Sequence, residues 1–337
     1  MSTLGVRDQG AGARDQGRLQ APHAGGGPTV VGGSVTACPR GGPAWWQRGS
    51  VREGVWLGSV HLILILVALV LMLPLYWLVK SALTPESEIF VYPPKWLPNP
   101  ATLENFRRAL TGRMFDEGIG GGVLFNLPLY LRNTLIIIVG NIVFGVTLSA
   151  LVAYSLARLH FPGRDLIFYT VIGALFLPAV VLIVPRFVIF SKLGLTKTFW
   201  PLIIPGFFGY ANQIFFLRQF FLTIPSELED SAYVDGCSTF RFWWRIMLPL
   251  CRPAVVVQLV ITFMYHWNDF LDPLIYLGMV DKVATLQLAI VKVMDPRALL
   301  HGAMMAYSTI LVVPCLLVFL LFQRILIQGV VFTGVKG

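Results

Sequence analysis

The chain is 337 residues long, 56% hydrophobic and only 13% charged, where an ordinary soluble domain carries roughly a quarter charged residues. A water-soluble globule of this composition would lack the polar surface it needs, so a lipid bilayer is the solvent the sequence calls for. The excess of 26 Lys+Arg over 17 Asp+Glu is scattered between apolar runs, which fits membrane topology and argues against a nucleic-acid partner.

Residues 1–52 are rich in Gly, Arg, Gln and Pro and hold too little apolar surface to offset the entropy of ordering, so they read as a disordered cytoplasmic tail. A secretory signal would place its apolar stretch soon after a basic start, whereas the first one here follows Val55. Residues 53–337 read as one transmembrane domain. A helix needs about 20 apolar residues to cross roughly 30 Å of hydrocarbon. Six stretches approach that length, at 58–79, 133–157, 166–190, 199–217, 254–277 and 306–322. The expected fold is therefore all-α, with six transmembrane helices. Pro178, Pro185 and Pro205 interrupt the runs, which membrane helices tolerate when neighbours satisfy the freed backbone groups. The short loop after the second span, with Arg158 and Arg164 flanking Pro162-Gly163, tips the charge asymmetry toward both termini inside the cell.

Between the fourth and fifth spans lies a polar segment, 224–249. Ser226 and Glu229 are spaced as a capping box, and Gly236 is placed to end a short helix in the left-handed conformation. Ser238 is placed to cap a second piece running through Trp243, Trp244 and Arg245 to Leu248-Pro249, its paired tryptophans suited to a membrane–water boundary. A surface helix carrying Glu227, Glu229, Asp230 and Asp235 is well placed to dock on another protein. Taken alone, a solvated acidic connector would read the same way.

The segment resembles the EAA loop of ABC importer permeases. Asp230, Ser231, Ala232, Asp235, Gly236, Leu248 and Pro249 occupy the motif positions, with Asp230 in place of the family Glu and Ser231 in place of an Ala. Other blocks are similar to the carbohydrate-uptake permeases: Ala153-Tyr-Ser-Leu-Ala-Arg158, Phe161-Pro-Gly-Arg164, Trp267-Asn-Asp-Phe-Leu271, Pro273-Leu-Ile275, Gln323-Arg324 and Gly334-Val-Lys-Gly337. The likeness runs from about residue 62 to 337, with a core type-1 region at about 129–323. It implies a type I importer in the bacterial cytoplasmic membrane that moves a sugar or oligosaccharide. Its implied partners are a second homologous permease, an ATPase dimer and an external solute-binding protein. It further implies that the coupling segment, and Gly334 and Lys336 at the C-terminus, contact the ATPase. ATP and Mg would then be bound by the partner, with no cofactor in this chain; no Gly-x-x-x-x-Gly-Lys-Ser/Thr phosphate cradle occurs in the sequence.

The fifth run contains His266, Asn268, Asp269 and Asp272. Counting from Pro253, Asp272 lies roughly 28 Å along a helix, near the outer boundary, where it is expected to be wet. Asn268 and Asp269, a turn deeper, either line a sugar pathway or bond to neighbouring helices. Tyr265 and Trp267 suit stacking on a sugar and equally suit anchoring at the boundary. Neither the five histidines nor Cys38, Cys237, Cys251 and Cys315 have the spacing of metal ligands, and no catalytic grouping is visible. The competing readings are a self-sufficient secondary transporter or channel, which usually carries charges deep in its spans and a repeat between halves, and an ABC permease for a non-sugar solute.

Overall fold

The computed structural model describes residues 45–111, 126–293 and 300–334, and the described residues are helical without strands. Helix α1 (Trp45–Ala82) begins within the segment assigned to the tail, so Trp45–Arg52 is helical while residues 1–44 lie outside the described part. Glu104–Thr111 forms the short α2, and α3 (Leu127–Arg158) is the longest crossing of the core. The third expected span is split into α4 (Arg164–Leu175) and α5 (Ala179–Lys192), bent by 104° where Pro178 removes a backbone donor. Then come the single turn α6 (Trp200–Ile203), α7 (Ala211–Leu222), the surface pair α8 (Glu227–Val234) and α9 (Thr239–Leu250), α10 (Arg252–Asn268), α11 (Leu271–Leu277), α12 (Leu286–Val293) and α13 (His301–Gly334).

Among the described residues, three helices are alone long and apolar enough to cross a membrane, at Glu53–Ala82, Leu127–Arg158 and His301–Leu326, and counting each bent pair as one span gives five. The expected span at 199–217 is not among them. Pro201 and Pro205 cut it into α6 and a 3₁₀ turn, and Gly209, at φ +73°, turns the chain into α7. Partners on α3 satisfy this irregular backbone: the Asn141 side chain donates to the Leu202 carbonyl at 3.0 Å, and Ser149 Oγ accepts the Tyr210 N–H at 2.9 Å. Asn141 opens a π-helical turn, Asn141–Val146, and its Oδ1 accepts the Tyr210 hydroxyl at 2.5 Å. Gly145 and Gly206 let the two backbones approach closely, since a Cβ on Gly206 would meet Gly145 at 3.3 Å.

Packing gathers at the two ends of α3. Near its start, Tyr130, Ile137 and Ile138 join Trp267, Tyr276, Leu288 and Tyr307 in one buried cluster. Asn133 ties this end together by donating to the carbonyls of Lys282 and Ala284, and Thr134 Oγ1 accepts the Leu286 N–H. Glu86 accepts the first N–H groups of α13, His301 and Gly302, both at 2.7 Å, where a carboxylate is favoured by the helix dipole. Near the end of α3, Ala150, Ala153, Tyr154 and Leu156 form a second cluster with α7 and with the surface pair. By contrast α1 carries exposed apolar side chains on every face, such as Leu66, Leu69, Val70 and Leu71, as a helix bathed in lipid does.

Candidate functional site

The α8–α9 unit is built as expected at its stops and differently at its start. Gly236 sits at φ +75° and closes α8: its N–H donates to the Tyr233 carbonyl, and the N–H of Cys237 donates to that of Ala232, the Schellman pairing. No atom lies within 4 Å of a Cβ built on Gly236, so backbone conformation alone demands glycine there. Ser238 caps the next helix by accepting the Arg241 N–H. The capping box does not form. Ser226 is itself helical, at φ −68° and ψ −27°, and its carbonyl rather than its hydroxyl accepts from Glu229 and Asp230.

Glu229 is instead turned into the protein. Its Oε1 accepts the hydroxyls of Tyr154 at 2.7 Å and Tyr233 at 2.8 Å, and Oε2 lies 3.9 Å from Arg158 Nε, with both charged side chains about nine-tenths buried. Arg158 also donates to the carbonyls of Phe221 and Ile224, where α7 ends. Ala232, Phe242, Trp243 and Met247 extend the same contact as apolar core against Tyr154, Leu217 and Phe221. The surface pair is therefore clamped to α3 and α7 at once. Its outer face presents Glu227, Asp230, Ser231 and Asp235 beside an 88% exposed Val234 and a 65% exposed Phe240, a mixed acidic and apolar surface.

At the opposite end of α10 the helix breaks: Asp269 is extended, at φ −70° and ψ 120°, and α11 restarts at Leu271. Asp269 Oδ1 accepts the Asp272 N–H at 3.3 Å, and Asp272 pairs with Arg186 of α5 at 3.6 Å. The Arg186 guanidinium lies 5.8 Å from the centre of the Tyr276 ring.

Against known proteins, the family described as binding-protein-dependent transport system inner membrane component matches residues 145–331. The chain is also 31% identical over 284 residues to a probable ABC transporter permease protein, YurM, of Bacillus subtilis, covering 83% of this chain and 88% of that one. The chain belongs to this family. It is an ABC importer permease of the cytoplasmic membrane. The permease is further 33% identical over 266 residues to the diacetylchitobiose uptake system permease protein NgcG of Streptomyces coelicolor, covering 78% of this chain and 84% of that one. In fold it is similar to a bacterial ABC transporter involved in import of the acidic polysaccharide alginate, with a TM-score of 0.69, 19% identity, and coverage of 81% of this chain and 97% of that one.

Several residues singled out in the sequence sit elsewhere than expected. Glu229 and Ala232 face the core of the permease, so the exposed face of α8 rests on Glu227, Asp230, Ser231 and Asp235. Trp267 is 3% exposed; its indole stacks on Phe263 and donates to the Leu311 carbonyl at 3.1 Å, which removes it from any open pathway. Trp243 is core and only Trp244 of the pair is exposed. Asp272 is not simply wet, because Arg186 meets it. Tyr265 is 58% exposed, while Asn268 donates back to the Met264 carbonyl. Leu248 is half-buried and Pro249 exposed, Gly334 is the last residue of α13, and Lys336 lies outside the described residues. Sequence reasoning passed over Arg186, a lone charge inside the apolar run Val184–Phe190, although such a charge is by default a functional suspect.

Proposed function

We propose that this permease carries a sugar or oligosaccharide, together with a second homologous permease, an ATPase dimer that binds ATP and Mg, and an external solute-binding protein. Both termini are then cytoplasmic, and the chain itself holds no nucleotide site or cofactor. The observation that carries this reading is the α8–α9 unit: a rigid, capped surface element with an exposed acidic and apolar face, locked to α3 and α7 through Arg158, Tyr154 and Glu229. The sugar assignment draws on NgcG, whose name gives diacetylchitobiose uptake.

In this reading the exposed face, with Asp230 and Asp235 and with Leu248-Pro249 behind it, docks on the ATPase, and Gly334 and Lys336 make a second contact. Closure of the ATPase dimer displaces the unit as a body. A packed joint has discrete arrangements rather than continuous play, so the displacement passes into α3 and α7 instead of being absorbed locally. Co-purification tests it. A tagged chain should bring down an ATPase and a second membrane subunit, and Asp230→Lys should lose the ATPase while retaining the second permease. A chain that imports sugar alone, or whose Asp230→Lys variant keeps ATPase and uptake, would defeat the reading.

A further inference from the structure

Polar groups collect from three of the apolar segments, two of which lose regular helix beside them. Arg186 comes from α5, one residue after Pro185. Asp269 and Asp272 flank the gap between α10 and α11. Tyr210 follows the Gly209 break at the start of α7, where its hydroxyl is held by Asn141 Oδ1. Irregular backbone at membrane depth survives only where protein buries it or where it lines a cavity, and broken helices in transporters converge on substrate.

A purely structural ion pair is the bland explanation, and four features count against it. The Arg186–Asp272 pair is not sealed: its side chains keep 31% and 17% of their exposure, against 9% and 11% for Arg158 and Glu229. Asp269 adds a second carboxylate beside this pair, its Oδ1 accepting the Asp272 N–H. Nε of Arg186 and Nδ1 of His266 are buried without a hydrogen-bond partner. Next to His266, its ring edge-on at 5.0 Å, the Tyr265 ring stands largely open. Such a set has spare acceptors, spare nitrogens, an open aromatic face and two carboxylates to one guanidinium.

We propose that Arg186, Asp269 and Asp272, with the Tyr265 ring, form a sugar-recognition site at the end of the permease away from α8, one that accepts hydroxyl-rich sugars without acidic groups and rejects uronates. This rests on the sugar reading above. Carboxylates accept from sugar hydroxyls, the guanidinium donates to ring or linkage oxygens, and the tyrosine packs on an apolar sugar face. A substrate carboxylate would meet two like charges against one opposite charge in surroundings that screen poorly.

The test uses the assembled importer, permeases plus ATPase, in lipid nanodiscs without its binding protein, so that selectivity comes from the membrane part. Radiolabelled N,N′-diacetylchitobiose and a diuronate from alginate serve as the two probes. The neutral disaccharide should bind at least about tenfold more tightly than the diuronate. Asp269→Asn should bring the two affinities within a few-fold of each other, and Arg186→Gln should weaken the neutral sugar. Gel filtration confirms that each variant complex is assembled. Equal affinities in the unaltered complex, or unchanged discrimination in the Asp269→Asn and Asp272→Asn complexes, overturn the inference while leaving the sugar reading intact. Failure of both probes to bind, combined with failure of the whole importer to take up either, overturns the sugar reading and this site with it.

Discussion

Two ion pairs stand near opposite ends of the helical core, and they are built to different standards. Arg158 and Glu229 are almost fully enclosed, with two tyrosine hydroxyls on the carboxylate and two carbonyls under the guanidinium. Arg186 and Asp272 are partly open to solvent and shadowed by a second carboxylate. A charge pair that has given up its water must keep its partners, because removing one strands the other. A pair that keeps some water can change partners at little cost. The first arrangement suits a joint that must move as one piece, and the second suits a surface that must release what it binds.

The largest test of this contrast is Arg158→Ala. It leaves Glu229 buried beside two tyrosines, and the assembled complex should lose about 3–5 kcal/mol of stability, seen as a lower unfolding temperature and poorer yield. Glu229→Gln keeps the shape and the acceptor oxygen, so the complex should persist while the charge link to Arg158 is gone. ATP hydrolysed per sugar imported should then rise. Unchanged stability in the first variant together with tight coupling in the second would mean that the joint is ornamental.

Next in size is Gly236→Val. With nothing near its Cβ, the substitution acts through backbone strain alone, about 1–3 kcal/mol, and tilts α8 relative to α9. Uptake should fall to background while membrane insertion continues, and Gly236→Asn, which tolerates the left-handed region, should retain most of the activity. Comparable is Gly145→Ala, whose new methyl would sit 2.8 Å from the Tyr210 ring and push the hydroxyl off Asn141. We expect about 1–3 kcal/mol there, with slower uptake measured in vesicles.

How far these joints were legible in the sequence depends on whether the signal was local. Gly236 and Ser238 announce their roles through short-range stereochemistry, and the structure bears both out. The apolar runs gave the crossings at 58–79, 133–157 and 306–322, because length and hydropathy suffice for a continuous helix. They could not show that 199–217 is not one continuous helix, since an apolar run broken by Pro201, Pro205 and Gly209 keeps its composition while losing its regular helix. Glu229 was out of reach altogether: its inward turn depends on Tyr154, 75 residues away, and a capping-box spacing cannot show that a distant hydroxyl will outcompete the local N–H. Arg186 was visible as a residue and silent as a partner, because its meeting with Asp272 depends on two helix breaks whose angles no local pattern records.

The smallest expected effect closes the comparison from its other side. Asp272→Asn removes a carboxylate from a pair spaced at 3.6 Å that retains solvent, and Arg186 still has Asp269 nearby to take over as counter-ion. Stability should change by less than about 1 kcal/mol, the range of partly exposed pairs, against the several expected for Arg158→Ala. Glu229→Gln and Asp272→Asn each turn one paired carboxylate into its amide in the same chain, so their unfolding temperatures measured side by side isolate enclosure as the variable. Equal losses would show that the half-open pair bears structural weight after all, and that the open end of the permease is as stiff as the end that carries α8.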